Sequence, residues 1–354
     1  MRTVFFWDAV TGLSLELSNP YGGLLAKALA PLDVEIVAGY PKFLNENWIR
    51  ENRSKVDVLH LNWPHYTYDV GDLEGSLARC AGVIGCLAYA RSLGYKVVWT
   101  VHNLYPHHST SHNLDHLARL ALVNIASALI VHCQHARHLI EENFFRRDGV
   151  FEIPHGHFIS MYPNTLSRDE ARQQLGLPKD GFVYLTFGNV KPYKGIERLM
   201  NVFSGMPGDD LRLLLMAKVF DEYGQQLAGE VARTADPRIV MHTSSNFPNE
   251  DLQIYLNAAD VVVLPFLDVL TSGTAITALG FSRPVIAPAI GCLSELIDDR
   301  VGLTYDPQNP EALGEAMQAA RKRDLPPMTQ AALHRAETLD WDSIALKTLE
   351  AYRY

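Results

Sequence analysis

Short apolar runs bounded by turn residues alternate with longer stretches of helical period along nearly the whole chain, and few folds accommodate that alternation. The runs are too short for helices and rich in Val, Ile and Leu, so they read as strands buried on both faces and joined by crossover helices. The fold class is therefore α/β with parallel sheets. Strands are expected over residues 3–7, 34–38, 58–63, 97–101, 129–132 and 151–153. A polar, proline-containing passage over 162–178 interrupts the pattern, which restarts at 183–187, 211–216, 239–242, 261–264 and 284–287. In a chain of 354 residues such a restart predicts two domains, because one hydrophobic core seldom organises that length. The expected division is 1–163, 164–338, and a closing helical segment over 339–354, capped by Asp342, that packs back on the first domain. Two doubly wound, Rossmann-like domains facing each other would gather the carboxyl ends of their strands around one crevice, where such sheets bind ligands.

The net charge of −9 excludes a general nucleic-acid binder, which needs a cationic surface to displace counterions from phosphates. Cys80, Cys86, Cys133 and Cys292 lack the paired spacings of a zinc site or disulfide framework and are expected to be free thiols of a reducing compartment. Residues 1–8 lack the charged start and cleavage site of a signal peptide. The best apolar stretch, 121–131, is short and broken by Asn124 and Ser127, so no spanning helix is expected. The expected location is the cytoplasm, with peripheral contact at the inner membrane face allowed if the substrate is lipid-linked.

The strongest local motif runs from Pro265 through Asp268, Thr271, Ser272, Gly273 and Thr274, between an expected strand and a helical stretch ending near Gly280. Amides unpaired at such a helix start, with the dipole behind them, form an anion site, and Gly273 allows a ligand close approach. The bland alternative is a helix capped by Thr271 or Ser272.

The following segment, Ala278 to Pro288 with Gly291, Glu295, Gly302 and Leu303, decides between them. It resembles glycosyltransferase family 4 and its GT-B relatives. The resemblance extends back through Asn249 to Pro265 and Gly188 to Gly195, and more weakly into the first half through Gly22-Gly23, Trp99 to Asn103 and Ile153 to Gly156. It implies a GT-B fold and a metal-independent transfer of a hexosyl unit, without cofactor, from a UDP- or GDP-linked sugar to a saccharide, glycolipid or small-molecule acceptor. The donor would sit mainly on the second domain and the acceptor on the first. Carried over position by position, Lys194 would neutralise the diphosphate as it leaves, and His102 would lie beside the transferred sugar. Gly188, Asn189, Lys191, Phe247 and the loop from Asp268 to Thr274 complete the expected donor site; Gly22, Gly23, Trp63, His65 and Asn103 line the acceptor side.

The family often carries arginine where this chain has Asn189, so Lys191 is the expected second cation. It also often carries two glutamates where this chain has Val269 and Thr277, which leaves Asp268 and Thr277 to replace them. Retention is the expected stereochemistry, with an inverting mannosyltransferase of lipid-linked oligosaccharide assembly as the alternative. An inverting transfer needs a general base, for which Asp8, Glu16 and Asp69 are candidates. His112 and His116 have the spacing of ligands on one helical face, but the accompanying glutamate or cysteines of a zinc site are missing. Dehydrogenase, P-loop and nucleophile-elbow motifs are absent from the sequence. A GT-B epimerase and a non-catalytic sugar-binding subunit remain as competing readings.

Overall fold

A computed structural model describes residues 1–6, 13–15, 19–40, 44–234 and 236–354, with the backbone alone described for 4–6. The chain divides into two units, Met1–Gly156 with Leu339–Tyr354, and His157–Thr338. The first holds the parallel strands β1 (Arg2–Phe6), β2 (Glu35–Gly39), β3 (Val58–Leu61), β4 (Lys96–Thr100), β5 (Ala128–Val131) and β6 (Val150–Glu152), in the order β2-β1-β3-β4-β5-β6. Every residue of β3 and β5 is buried, as strands covered on both faces require. The closing helix Trp341–Arg353 belongs to this unit. Its cap is Asp340, which accepts from the Asp342 and Ser343 amides at 3.2 and 2.8 Å, two residues before the Asp342 expected. The Tyr352 hydroxyl lies 2.8 Å from His60 Nδ1, and a Cβ at Gly156 would meet the Trp341 ring at 2.2 Å, so only glycine fits there.

The second unit holds β7 (Phe182–Asn189), β8 (Leu211–Lys218), β9 (Ile239–Ser244), β10 (Val261–Val263), β11 (Val285–Pro288) and β12 (Gly302–Tyr305), again all parallel. The order is β12-β11-β10-β7-β8-β9. The sheet starts at β7, winds one way through β8 and β9, then returns to β10 on the other side. Its anchor is Asp260, just before β10, which accepts from the Val183 amide at 2.7 Å and pairs with the fully buried Arg172 at 2.7 Å and with Arg168 at 3.2 Å. Arg172 lies on the helix Arg168–Gln174, inside the polar passage over 162–178 for which no element was expected; Ser167 and Glu170 start that helix with a reciprocal capping box.

The division at Gly156/His157 falls before the expected 163/164. Phe158 and Ile159 pack under the helix Gly273–Gly280, where Cβ atoms at Gly273 and Gly280 would come within 3.3 and 3.2 Å of them, and the Tyr162 ring faces Phe281 at 6.4 Å. These apolar contacts tie the segment to the second unit. Cys80 and Cys86 are free thiols, so the expectation of four holds for these two. Among the described residues no helix is long and apolar enough to cross a membrane.

Candidate active site

The second sheet reverses its winding between β7 and β10, and ligands of open α/β sheets bind outside the carboxyl ends of the strands at such a point. The two loops that leave these strands are those the sequence singled out, Gly188 to Gly195 and Leu264 to Ser272. They are joined to each other. The Leu267 amide donates to the Tyr193 carbonyl at 2.8 Å, and Gly195, at φ +63°, sits where a Cβ would come 2.3 Å from the Pro265 carbonyl. Behind them the helix Gly273–Gly280 is capped by Ser272, whose Oγ accepts from the Ala275 amide at 3.1 Å. That bond uses one first-turn amide; those of Gly273 and Thr274 find no acceptor among the described residues.

Lys194 completes this edge. Its ammonium finds no hydrogen-bonding or ion-pair partner among the described residues; it lies over the Phe266 ring at 5.6 Å and beside Gly188, where a Cβ would come within 3.2 Å of it. The residue as a whole keeps some surface, but burial of the amine pushes its pKa down to about 8, so it stays mostly protonated at neutral pH. Lys191, the expected second cation, is paired with Asp221 at 2.5 Å. Lys218 was missed by sequence reasoning. It ends β8 in direct register with Asn189, on the face where Leu214 and Met216 pack with Ala275 and Ala278 of the Gly273–Gly280 helix. Half-buried and without a side-chain partner among the described residues, its pKa is lowered by burial. Only the cross-strand register reveals it, and a motif scan does not read register.

The remaining donor-side candidates separate. Asp268 is exposed and Thr271 half-buried, its hydroxyl 3.7 Å from Cys292 Sγ. Thr277 donates its hydroxyl to the Gly273 carbonyl at 2.8 Å, and Val269 is buried in the core, so neither brings a charge to the site. Phe247 packs edge-on against Tyr255 at 5.7 Å within the same core.

In the first unit His102 follows β4 and is 4% exposed. Its Nε2 lies 3.0 Å from Asn62 and its Nδ1 3.1 Å from His132 Nε2, so both ring nitrogens are occupied within the protein. Trp63 stacks on the ring at 4.2 Å and 7°, and Tyr21 meets it edge-on at 4.7 Å. Burial, reinforced by His132, His155 and His60, drives the His102 pKa well below the ordinary range and leaves it neutral. His65 is half-buried against Tyr66, its pKa pushed down to about 4 by burial and then by Arg119. Asn103 bonds His107 at 3.0 Å, and His116 bonds the Tyr105 hydroxyl at 2.8 Å. Gly22 and Gly23 both lie in the first turn of the helix Tyr21–Leu29, where a Cβ on Gly23 would meet the Leu13 carbonyl at 2.7 Å. Asp69 behaves as a turn acid, accepting from the Gly71 amide at 3.0 Å and Thr110 at 2.8 Å. Asp8 and Glu16 lie outside the described residues.

Residues 181–322, which hold both loops and Lys218, match the family described as glycosyl transferases group 1. The GDP-mannose:glycolipid 4-beta-D-mannosyltransferase of Xanthomonas campestris pv. campestris is 30% identical over 279 residues, covering 77% of this chain and 70% of that one. The chain belongs to the group 1 glycosyltransferases. A second glycosyltransferase, the D-inositol 3-phosphate glycosyltransferase of Arthrobacter sp. (strain FB24), is 25% identical over 341 residues, 90% of this chain and 79% of that one. Solved structures share the GT-B fold over the full length of this glycosyltransferase. Sucrose-phosphate synthase from Thermosynechococcus elongatus superposes with a TM-score of 0.78 at 19% identity, covering 99% of this chain and 98% of that one. Anabaena HepE in complex with UDP-glucose gives 0.72 at 17% identity over 99% and 98%.

Proposed function

We propose that this glycosyltransferase moves a hexosyl unit from a nucleoside-diphosphate sugar to a saccharide or glycolipid hydroxyl, in the cytoplasm, with the donor diphosphate on the second unit. The single observation that carries this reading is that the Lys194 ammonium, on the loop after β7, and the Gly273 and Thr274 amides, at the start of the helix after the β10 loop, have no partner among the described residues and stand at the β7/β10 reversal. A cation and two oriented N–H groups stabilise the charge that develops on the diphosphate as the glycosidic bond breaks. Lys218 supplies the second positive charge in place of the arginine that Asn189 replaces, while Lys191 serves the loop through Asp221. No metal is needed to do this work, since the protein brings fixed positive charge of its own.

GDP-mannose is the first donor to test, because the relative at 30% identity is named for it and for a glycolipid acceptor. That name also favours a second stereochemical reading over the retention expected from sequence. A β-mannoside formed from an α-linked GDP-mannose is an inversion and needs a base; Asp69 is taken up in its turn, which leaves Asp8 and Glu16 as the acids to substitute. Incubation with GDP-mannose or UDP-glucose and a short-chain glycolipid, followed by NMR of the product anomeric proton, tests both. A new glycoside supports transfer and its anomeric form decides the stereochemistry; free sugar or an epimerised nucleotide sugar as sole product rejects transfer.

A further inference from the structure

Asn62 follows β3, and neither the motifs nor the donor-site reading gives it a role. It is 1% exposed, with Oδ1 set 3.0 Å from His102 Nε2 and Nδ2 without an acceptor among the described residues. A buried N–H left so loses its hydration without a replacement bond, so the arrangement needs an explanation. The surrounding bonds assign the protons one at a time. The Ile153 carbonyl can only accept, so His132 Nδ1, 2.9 Å away, carries a hydrogen and donates it. Burial, then His155, pushes the His132 pKa down to about 3, so the ring is neutral at pH 7 and its Nε2 is a bare acceptor. His102 Nδ1, 3.1 Å from that nitrogen, must then donate. His102 is itself neutral, which leaves its Nε2 bare as well. Two acceptors cannot share a 3.0 Å hydrogen bond. A half-turn of the Asn62 amide puts its NH2 against His102 Nε2, removing the opposed acceptors and the orphaned N–H together.

We propose that Asn62 is a positioning residue for the transferase, whose donated hydrogen bond fixes His102 and His132 as neutral Nδ1–H tautomers and holds the His102 ring under Trp63. Only the activity arm of this inference rests on the proposed function. The amide also makes the arrangement proton-sensitive. If His102 gains a second proton, Nε2–H becomes a donor, and Asn62 must turn back to present Oδ1. Among the described residues the groups that face His102 are Tyr21, Trp63, His132 and His155, with His60 behind them, and none of these is a carboxylate. None of these groups favours the imidazolium while Asn62 is an amide.

An aspartate at this position can only accept, so Asn62→Asp should draw a proton onto His102, whereas Asn62→Ser keeps a group that donates. Side-chain 15N NMR of the full-length protein reads the outcome directly. In the wild type at pH 7 His102 should show a protonated Nδ1 and a bare Nε2; in Asn62→Asp both nitrogens should be protonated; Asn62→Ser should restore the wild-type pattern. In transfer assays the acid limb of kcat should move up by about one pH unit or more in Asn62→Asp, with KM for the nucleotide sugar unchanged. A wild-type His102 protonated on Nε2 and bare on Nδ1, or an Asn62→Asp protein with neutral His102, overturns the inference. Correct tautomers in a protein that transfers no sugar would reject the proposed function and leave the proton assignment standing. Should Asn62→Asp not fold, the wild-type tautomer alone still decides.

Discussion

The Lys194 ammonium lies 5.6 Å from the centre of the Phe266 ring, a cation on the loop after β7 set against an aromatic face on the loop after β10. The charge is held there without a counterion among the described residues, at a cost in stability. Burial lowers its pKa from 10.5 to about 8, so between those values the unfolded chain binds more protons and stability gains from this group as pH rises. Below pH 8 the full penalty applies. Lys194→Met should therefore be more stable than the wild type at pH 7, by roughly 1–2 kcal/mol after allowance for its partial exposure, and the gap should close as pH rises past 10.5. Urea unfolding of both proteins at pH 7 and at high pH measures this; a variant no more stable at pH 7 contradicts it.

Lys191 and Lys218 should respond unequally to truncation. Lys218→Ala removes a free ammonium and should weaken nucleotide diphosphate binding roughly ten- to a hundredfold, the range expected when a charged hydrogen bond is lost. Lys191→Ala removes a partly exposed ion pair with Asp221 and should weaken it by a factor of only about two to five. Calorimetric titration of the two variants ranks them, and the reverse order would reassign the second cation to Lys191.

How far the sequence reached depends on what each signal encodes. The strands with aliphatic runs, such as β5, β8 and β10, were legible because burial on both faces demands Val, Ile, Leu and Ala. β12 was not, since Gly302-Leu303-Thr304-Tyr305 has a single aliphatic residue; it pairs through its backbone, and Gly302 is required because a Cβ would come 2.0 Å from the Val285 carbonyl. The helix Arg168–Gln174 announced itself only through its Ser167/Glu170 capping box. Ser272 and Gly273 stood out because a strand–loop–helix motif is local in sequence, and Lys194 because it matches a family position; their roles in donor binding are proposals. Lys218 and Asn62 were not, because the first is placed by strand register and the second by a bond to His102 across the sheet.

Gly195 combines a left-handed φ of +63° with a Cβ position 2.3 Å from the Pro265 carbonyl. Gly195→Ala must strain the backbone and push the loops after β7 and β10 apart. A loss of about 2–4 kcal/mol in unfolding free energy is expected, together with loss of nucleotide binding. Thermal unfolding with and without nucleotide checks it, and wild-type stability would show that the loops yield freely.

Asp260→Ala leaves the fully buried Arg172 guanidinium without its carboxylate and the Val183 amide without its acceptor. Destabilisation of about 3–5 kcal/mol should follow, read by denaturant unfolding, with its effect on the second unit. A change below about 1 kcal/mol would mean that water replaces the carboxylate.

The second unit is proposed to bind a nucleoside diphosphate through the protein's own cations. Titration of the wild type and of Lys194→Ala with GDP and UDP, each with and without magnesium, tests it most directly. Binding of one nucleotide at micromolar concentration, indifferent to magnesium and strongly weakened by the substitution, is the predicted result. A folded wild type that binds neither nucleotide, or a Lys194→Ala protein that binds as tightly as the wild type, would contradict the account.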